Sequence, residues 1–235
     1  MVAVAEYAEP DALRRALDGV GTVLMVSAAE TPERVRQHAN FVDAAVAAGV
    51  QHLVYTSFLG AAPEAVFTLA RDHWVTEERI RSSGLEYTFL RDSLYADFLP
   101  FMVGADGVIR GPAGSGRAAV VAQADIADAA VAVLRDPAPH AGRTYDLTGP
   151  EALTFAEMAA IVTAATGRQV EFHDETLAEA YASRASFGAP DWQVDAWVSS
   201  YTAVAAGELA VVSGAVEELT GHPATSLARL LANQA

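Results

Sequence analysis

The first half of the chain alternates short apolar runs with longer stretches in which apolar residues recur every three or four positions. This alternation restricts the fold more than any other feature. Apolar runs cover 22–27, 51–57 and 85–91, and helical stretches at 31–48 and 66–83 separate them. Continuous apolar runs are typical of strands buried on both faces of a sheet. The order therefore predicts a parallel sheet with helices on both faces, joined by right-handed crossovers.

Proline and glycine set the predicted ends of these elements. Pro10 begins a helix that Gly19 ends, and Gly49 and Gly84 end the two following helices. Proline is common in the first helical turn and glycine just after the last one. The apolar segment 2–5 is predicted as a further short strand ahead of the first helix.

The last third of the chain is less regular and predicts a small α+β lobe. Asp125 is predicted to cap an alanine-rich helix, and Thr154 with Glu157 forms a capping-box pattern at the start of another. A turn containing proline and histidine lies between these helices. We therefore divide the chain into a sheet domain, 1–140, and a lobe, 141–235, that packs on it.

Composition narrows the classes of function. The chain has 235 residues, 52% of them hydrophobic, and a net charge of −15. This charge argues against nucleic acid and anionic membrane surfaces as partners. The absence of cysteine excludes disulfides, thiol catalysis and thiolate metal sites. No leader pattern or uncharged membrane-length run is visible, so a cytoplasmic protein is expected.

Hydroxyl side chains follow two neighbouring strands of the predicted sheet. Ser27 ends one strand, and Tyr55, Thr56 and Ser57 end the next. Ligands of parallel α/β sheets bind at the carboxyl ends of the strands, so these residues could line a binding site. Alternatively, the hydroxyls only cap turns.

Four segments together resemble a known family. Residues 44–57 read AAVAAGVQHLVYTS, 72–77 read DHWVTE, 83–91 read SGLEYTFLR and 221–227 read GHPATSL. In this order and spacing they resemble the NmrA-like, atypical short-chain dehydrogenase/reductase family, most of all its NAD(P)H-dependent quinone oxidoreductase 2 branch. The similarity extends over essentially the whole chain.

The resemblance implies a Rossmann-like domain that binds NADP or NAD, with a C-terminal lobe that closes the substrate cleft. Typical short-chain dehydrogenases use a Tyr-x-x-x-Lys pair, but here Leu69 stands in place of the Tyr and His73 stands near the Lys position. The candidate catalytic residues are His73 and Tyr95. The candidate cofactor-binding residues are Ser27, Tyr55, Thr56, Ser57, His73 and Arg91.

The family's glycine-rich turn, which holds the cofactor pyrophosphate, has no counterpart in this sequence. We therefore expect an N-terminally truncated Rossmann-like domain with weak or absent cofactor binding. Strand 22–27 would then present an apolar edge. Segment 2–5 could pair with it, a second subunit could cover it in a homo-oligomer, or the sequence is a fragment of a longer chain.

Three other patterns suggest no chemistry. Loop 111–116 (GPAGSG) precedes a predicted strand rather than a helix, so it is not expected to bind phosphate. His73 and Glu77 have a spacing that can hold a metal, yet no further ligands accompany them, and no metal is expected. The charged residues 77–81 are predicted to form a solvated helix face.

The sequence thus favours an NAD(P)H-dependent oxidoreductase that reduces small quinone-like or conjugated carbonyl substrates by hydride transfer. Two alternatives stay open. The first is a non-catalytic NmrA-type nucleotide sensor or regulator, which the missing Tyr-x-x-x-Lys pair favours. The second is a cofactor-free truncated derivative that self-associates.

Overall fold

The computed structural model describes residues 3–233, whose strands form one large and two small sheets. The strands are β1 Thr22–Met25, β2 His52–Phe58, β3 Glu86–Asp92, β4 Val108–Gly111, β5 Arg117–Ala118, β6 Arg143–Leu147, β7 Leu153–Thr154 and β8 Glu171–Asp174. The α-helices are α1 Pro10–Ala16, α2 Arg34–Ala48, α3 Thr68–Ser82, α4 Gln123–Arg135, α5 Phe155–Thr166, α6 Leu177–Arg184, α7 Asp191–Ala205, α8 Ala215–Thr220 and α9 Leu227–Ala232. Short 3₁₀ helices cover Ala96–Met102, Ala138–His140 and Ala185–Phe187.

The large sheet is parallel throughout, with the strand order β1-β2-β3-β6. The register places Leu24 beside Val54, Val54 beside Thr88, and Leu90 beside Tyr145. Helices α1, α2 and α3 pack on one face, around a core that includes Leu53. Helices α4 and α8 cover the other face. The predicted α/β class, a Rossmann-like parallel sheet with helices on both faces, is confirmed.

The first strand of the sheet is less buried than predicted. Within β1 only Met25 is buried, and Val26 beyond it is 55% exposed. Among residues 3–233 no strand pairs with the outer edge of β1. This agrees with the expected apolar edge and corrects the expectation of burial on both faces.

The predicted strand over residues 2–5 is wrong for 3–5, which have no strand pairing; Val2 lies outside the described residues. Side-chain contacts hold the following segment instead. The Tyr7 hydroxyl donates to the Val26 carbonyl at 2.7 Å, and the Asn40 amide donates to the Tyr7 carbonyl at 3.0 Å. The Tyr7 ring also packs on Phe41, with 5.1 Å between ring centroids.

Helix ends follow the sequence signals with one correction. Gly49 ends α2 in the left-handed region, with φ 77°, and the capping box of Thr154 and Glu157 is present at α5. Asp125, however, does not cap α4, because Ala122 occupies the N-cap position. The Asp125 carboxylate instead accepts from the backbone N–H and the hydroxyl of Thr225, at 2.6 and 2.9 Å. It joins α4 to the segment before α9.

The two small sheets are parallel β4–β8 and antiparallel β5–β7, and each pairs a strand from before residue 140 with one from after it. Loop 111–116 lets α7 approach closely. A Cβ on Gly111 would lie 2.2 Å from Cδ1 of Tyr201, and one on Gly116 would lie 2.2 Å from the Val204 carbonyl oxygen. These glycines therefore serve packing.

The division at residue 140 stays a prediction. β6 follows that point, yet it pairs with β3 in the large sheet. Among the helices of residues 3–233, none combines the length and the apolar character needed to cross a membrane.

Candidate functional site

A cleft of about 280 Å³ opens where β1, β2 and β3 end, on the side facing the 3₁₀ helix Ala96–Met102. The polar side chains that line it belong to Ser27, Glu30, Arg34, Ser57, His73, Ser93 and Tyr95. Its apolar walls include Phe58, Phe67, Leu69 and Phe98. The cleft therefore combines a flat apolar slot with a small number of polar groups, as small-molecule sites commonly do.

His73 lies beneath this cleft and uses both ring nitrogens within the protein. Its Nε2 lies 3.0 Å from Nη2 of Arg34, which can only donate, so Nε2 accepts. Its Nδ1, 2.9 Å from the Tyr55 hydroxyl, then carries the proton and donates. Burial, followed by the charge of Arg34, lowers the pKa of His73 well below its usual value. His73 is therefore neutral at neutral pH.

His38 has the same tautomer for the same reason. Its Nε2 accepts from the Ala28 backbone N–H at 2.8 Å, so Nδ1–H donates to the Thr76 hydroxyl, also at 2.8 Å. The Thr76 hydroxyl in turn donates a hydrogen bond to the backbone carbonyl oxygen of Asp72, 2.8 Å away. Burial and the nearby Arg34 charge lower the pKa of His38 to about 3. The chain of bonds fixes the loop after β1 against α2 and α3.

Arg34 is the buried cation of the site. It is 5% exposed, and its Nε donates to the Ala28 carbonyl at 2.9 Å. Nη1 is buried but has no hydrogen-bond partner within residues 3–233. In the same described range, the buried hydroxyls of Thr31 and Ser93 and Oδ1 of Asp92 also lack partners. Of these four residues, Arg34 and Ser93 line the cleft. Buried polar atoms of native proteins are usually satisfied, so unsatisfied atoms in two lining residues fit a site that binds a ligand.

Glu77 connects three elements below the cleft. It is fully buried, and its carboxylate accepts two bonds from Arg91, at 2.8 and 2.7 Å, and one from Arg81 at 2.9 Å. The Ser57 hydroxyl donates to it at 2.6 Å. The predicted solvated face 77–81 is therefore wrong at Glu77, because the Arg91 and Arg81 guanidinium groups compensate its burial.

Asp92 and Tyr95 form a second polar pair at the end of β3. The Tyr95 hydroxyl lies 3.2 Å from Oδ2 of Asp92. Burial raises the pKa of Asp92 well above its usual value. Burial and the adjacent carboxyl also raise the pKa of Tyr95. Tyr95 packs on Phe98, with 5.8 Å between ring centroids, so its ring forms part of the cleft wall.

The structure brings together four of the predicted site residues, since Ser27, Ser57, His73 and Tyr95 all border the cleft. Three others are placed away from its lining. Tyr55 is fully buried behind His73, and the Thr56 hydroxyl accepts from the Ser27 backbone N–H at 2.9 Å. Arg91 is paired with Glu77. Their placement gives them supporting contacts, and their predicted cofactor contacts stay predictions.

Sequence reasoning missed Arg34 and His38, and it gave Asp92 and Ser93 no role of their own. A signal for two of them existed, because positions 34 and 38 continue the buried stripe of α2 that includes Phe41. Charged or titratable residues on a stripe that should be apolar indicate a specific role.

The described residues suit the nicotinamide end of a dinucleotide better than its pyrophosphate. The polar cleft fits a flat ring with hydrogen-bonding groups. No glycine-rich turn at a helix N-terminus lies between residues 3 and 233 to hold a pyrophosphate. The same range contains no group of three or more side chains that could hold a metal ion.

Comparison with known proteins identifies the family of this chain. The family model described as NmrA-like family matches residues 1–185. This chain belongs to the NmrA-like family. It is 37% identical to quinone oxidoreductase 2 of Escherichia coli strain K12, over 95% of this chain and 79% of that protein. It is 33% identical to an NAD(P)H azoreductase of Xenophilus azovorans, over 96% of this chain and 79% of the relative.

Solved structures agree with this assignment. The NADPH complex of the Escherichia coli quinone oxidoreductase QOR2 matches with a TM-score of 0.90 and 36% identity, over 100% of this chain and 83% of the other. The NADP(H) complex of Citrobacter sp. triphenylmethane reductase matches with a TM-score of 0.86 and 32% identity, over 98% and 82%. The family predicted from the sequence is thus confirmed.

Proposed function

We propose that this protein is an NAD(P)H-dependent oxidoreductase that reduces small quinone-like or conjugated carbonyl compounds by hydride transfer. The observation that carries the proposal is the similarity to the NADPH complex of quinone oxidoreductase QOR2, at 36% identity over 100% of this chain. The relative described as an NAD(P)H azoreductase adds a second NAD(P)H-dependent reductase to the similar proteins.

The cleft supports this chemistry. Its aromatic walls, including Phe58, Phe67 and Phe98, suit a planar ring. Ser27 and Ser57 place hydroxyls at the strand ends, where the nicotinamide and ribose of the cofactor would lie. The bound cofactor would supply the hydride, and the residues of this chain would position the two rings and bind their oxygens.

His73 and Tyr95 have different roles in this proposal. The Tyr95 hydroxyl borders the cleft and can bind a substrate oxygen directly. His73 already uses both nitrogens, one of them for Arg34, so it acts as a positioning residue. Leu69 supplies no proton, which leaves the Tyr95–Asp92 pair as the nearer source.

We expect cofactor binding to be weak. The described residues offer contacts to the nicotinamide half but no glycine cradle for the pyrophosphate. Titration of the 235-residue protein with NADPH, followed by fluorescence, should give a dissociation constant above roughly micromolar. Tighter binding would contradict this expectation.

Turnover is the decisive test. The loss of NADPH absorbance should accelerate when benzoquinone and the protein are both present. Phe98→Ala should reduce the catalytic efficiency, because it removes one wall of the slot. Phe187→Ala is the matched control, since Phe187 packs on Trp197 and does not line the cleft. No NADPH oxidation by folded wild-type protein, across several quinones, would refute the proposal.

A second candidate function is a nucleotide-binding sensor that does not catalyse a reaction. It is favoured because Leu69 stands at the position of the usual catalytic tyrosine. A transcriptional regulator, NmrA, shares the fold with a TM-score of 0.74 at 17% identity. Binding of NADPH without oxidation by any quinone would support this candidate instead.

We also propose that the chain self-associates. Within the described part of the chain β1 has no partner on its outer side, and Val26 is 55% exposed there. Light scattering after size exclusion should give a mass above the 24.6 kDa of one chain. A monomer at every concentration tested would contradict this.

A further inference from the structure

We propose that Arg34 binds, through Nη1, a negatively charged substrate oxygen, namely the carbonyl oxygen that gains an electron pair during reduction. The inference rests on the proposed function and deepens it. Arg34 would then be a catalytic residue rather than a part of the scaffold.

Two hydrogen bonds hold the guanidinium group in place. Nε donates to the Ala28 carbonyl at 2.9 Å, and Nη2 donates to His73 at 3.0 Å. His73 is in turn oriented by Tyr55, 2.9 Å from its other nitrogen. Nη1 is left buried, with no hydrogen-bond partner among residues 3–233, in a side chain that borders the cleft. A preoriented donor of this kind costs no reorganisation when charge develops near it.

The charge of Arg34 is poorly compensated. His38 and His73 beside it are neutral, since each uses one nitrogen as an acceptor. The carboxylate paired with Arg34 in the described residues belongs to Asp72, whose Oδ2 lies 3.8 Å from Nη1 and whose side chain is 28% exposed. Glu30 also lines the cleft, but no ion pair joins it to Arg34 in the described residues, so this buried cation still favours an anionic ligand.

The ligand oxygen could in principle belong to a nucleotide phosphate, which shares this chemistry. The surroundings favour the substrate. Phe58, Phe67, Leu69 and Phe98 form an apolar slot beside Arg34, which suits a flat conjugated ring and not a hydrated phosphate. Ser93, which lines the same cleft, adds a second buried polar atom without a hydrogen-bond partner in the described range.

The reaction balances with Arg34 as a hydrogen-bond donor only. The conjugated substrate gains a hydride from the reduced nicotinamide at one end of its π system, and a new bond to hydrogen forms there. The displaced π electron pair moves to the carbonyl oxygen, so the substrate is reduced while the nicotinamide is oxidised. The oxygen then takes a proton from the Tyr95–Asp92 pair, and that pair regains a proton from water. Arg34 neither gains nor loses a proton.

Binding of para-nitrophenolate to the protein without cofactor tests the proposal independently of turnover. The wild type should bind the phenolate in preference to the neutral phenol, and the absorbance of the bound probe should show its pKa lowered. Arg34→Met should weaken phenolate binding by roughly 10- to 100-fold, the loss expected for a charge-assisted hydrogen bond. Binding of nitrobenzene, which lacks the oxygen anion, should not change. Arg34→Lys should keep part of the phenolate affinity.

Arg79→Met is the matched control, because Arg79 is an exposed arginine that pairs with Asp43 on the outside of α3. Equal phenolate affinity of Arg34→Met and wild type would overturn the proposal. So would an Arg34→Met variant that loses affinity for nicotinamide mononucleotide but not for the phenolate, since the oxygen would then belong to the cofactor. If Arg34→Met does not fold, the wild-type preference decides alone, and phenol bound as tightly as phenolate refutes the proposal. Phenolate preference without quinone turnover would refute only the proposed function.

Discussion

Acidification should destabilise this protein through two buried histidines. Burial and the Arg34 charge lower the pKa of His38 to about 3. Burial lowers the pKa of His73 well below its usual value as well. In the unfolded chain both would titrate near their ordinary pKa of about 6.5. The folded protein therefore binds fewer protons than the unfolded chain between these values, and its stability falls as the pH falls.

The size of the effect follows from the fractions of protonated and neutral histidine in the unfolded chain at each pH. Between about pH 7 and about pH 5, protonation of one histidine stabilises the unfolded chain by about 1.9 kcal/mol, if the folded form stays neutral. The two histidines together give about 4 kcal/mol, a large part of the stability of an ordinary domain.

Urea unfolding followed by circular dichroism at both pH values measures this difference. His38→Gln and His73→Gln each remove a hydrogen-bonding side chain, so their absolute stabilities will fall. The informative quantity is the pH dependence, which each variant should reduce by about half. Comparing variants with wild type cancels the contribution of the carboxyl groups common to all of them.

His222 provides a control of opposite sign. The Pro223 carbonyl, and after it Asp128, raise its pKa, so its contribution to stability is greatest in acid. His222→Gln should therefore make the loss of stability on acidification steeper. Variants of His38 and His73 with the same pH dependence as wild type would refute the assignment of both as neutral buried groups.

Two further predictions concern the carboxyl groups of the site. Glu77→Gln should lower the free energy of unfolding by about 3 kcal/mol, because it leaves the half-buried Arg91 without its carboxylate. The control Glu78→Gln should cost under about 1 kcal/mol, since Glu78 is exposed. Equal losses for the two variants in urea unfolding would contradict this prediction. Burial raises the pKa of Asp92, so wild type loses stability as the pH rises and this carboxyl group must ionise. Asp92→Asn should therefore be more stable than wild type at about pH 8, and the difference should shrink towards about pH 5. A difference that grows in acid would contradict the second.

The sheet could be predicted because its central strands carry an unambiguous signal. Residues 51–57 and 85–91 are short runs rich in apolar, aromatic and β-branched residues between helical stretches, and both became strands within one or two residues of the predicted ends. Gly49 ended its helix as expected. Segment 2–5 has similar composition, but apolar character alone does not provide a neighbouring strand for its backbone.

The site was predictable only at the ends of the strands. Ser27 and Ser57 follow from the rule that ligands bind at the carboxyl edge of a parallel sheet. Arg34 lies a helix away from that edge in sequence, and only tertiary packing brings its guanidinium group to His73. The same packing buries Tyr55, which the strand-end rule had placed at the cleft.

The two sides of the cleft differ in what they allow. One is braced by hydrogen bonds between buried groups, so a substitution there disturbs folding together with binding. The other includes Phe98, which is 52% exposed and makes no side-chain hydrogen bond. New substrate preferences should therefore be obtainable, in evolution or in the laboratory, by substitutions at the exposed aromatic side that leave the hydrogen-bonded side unchanged.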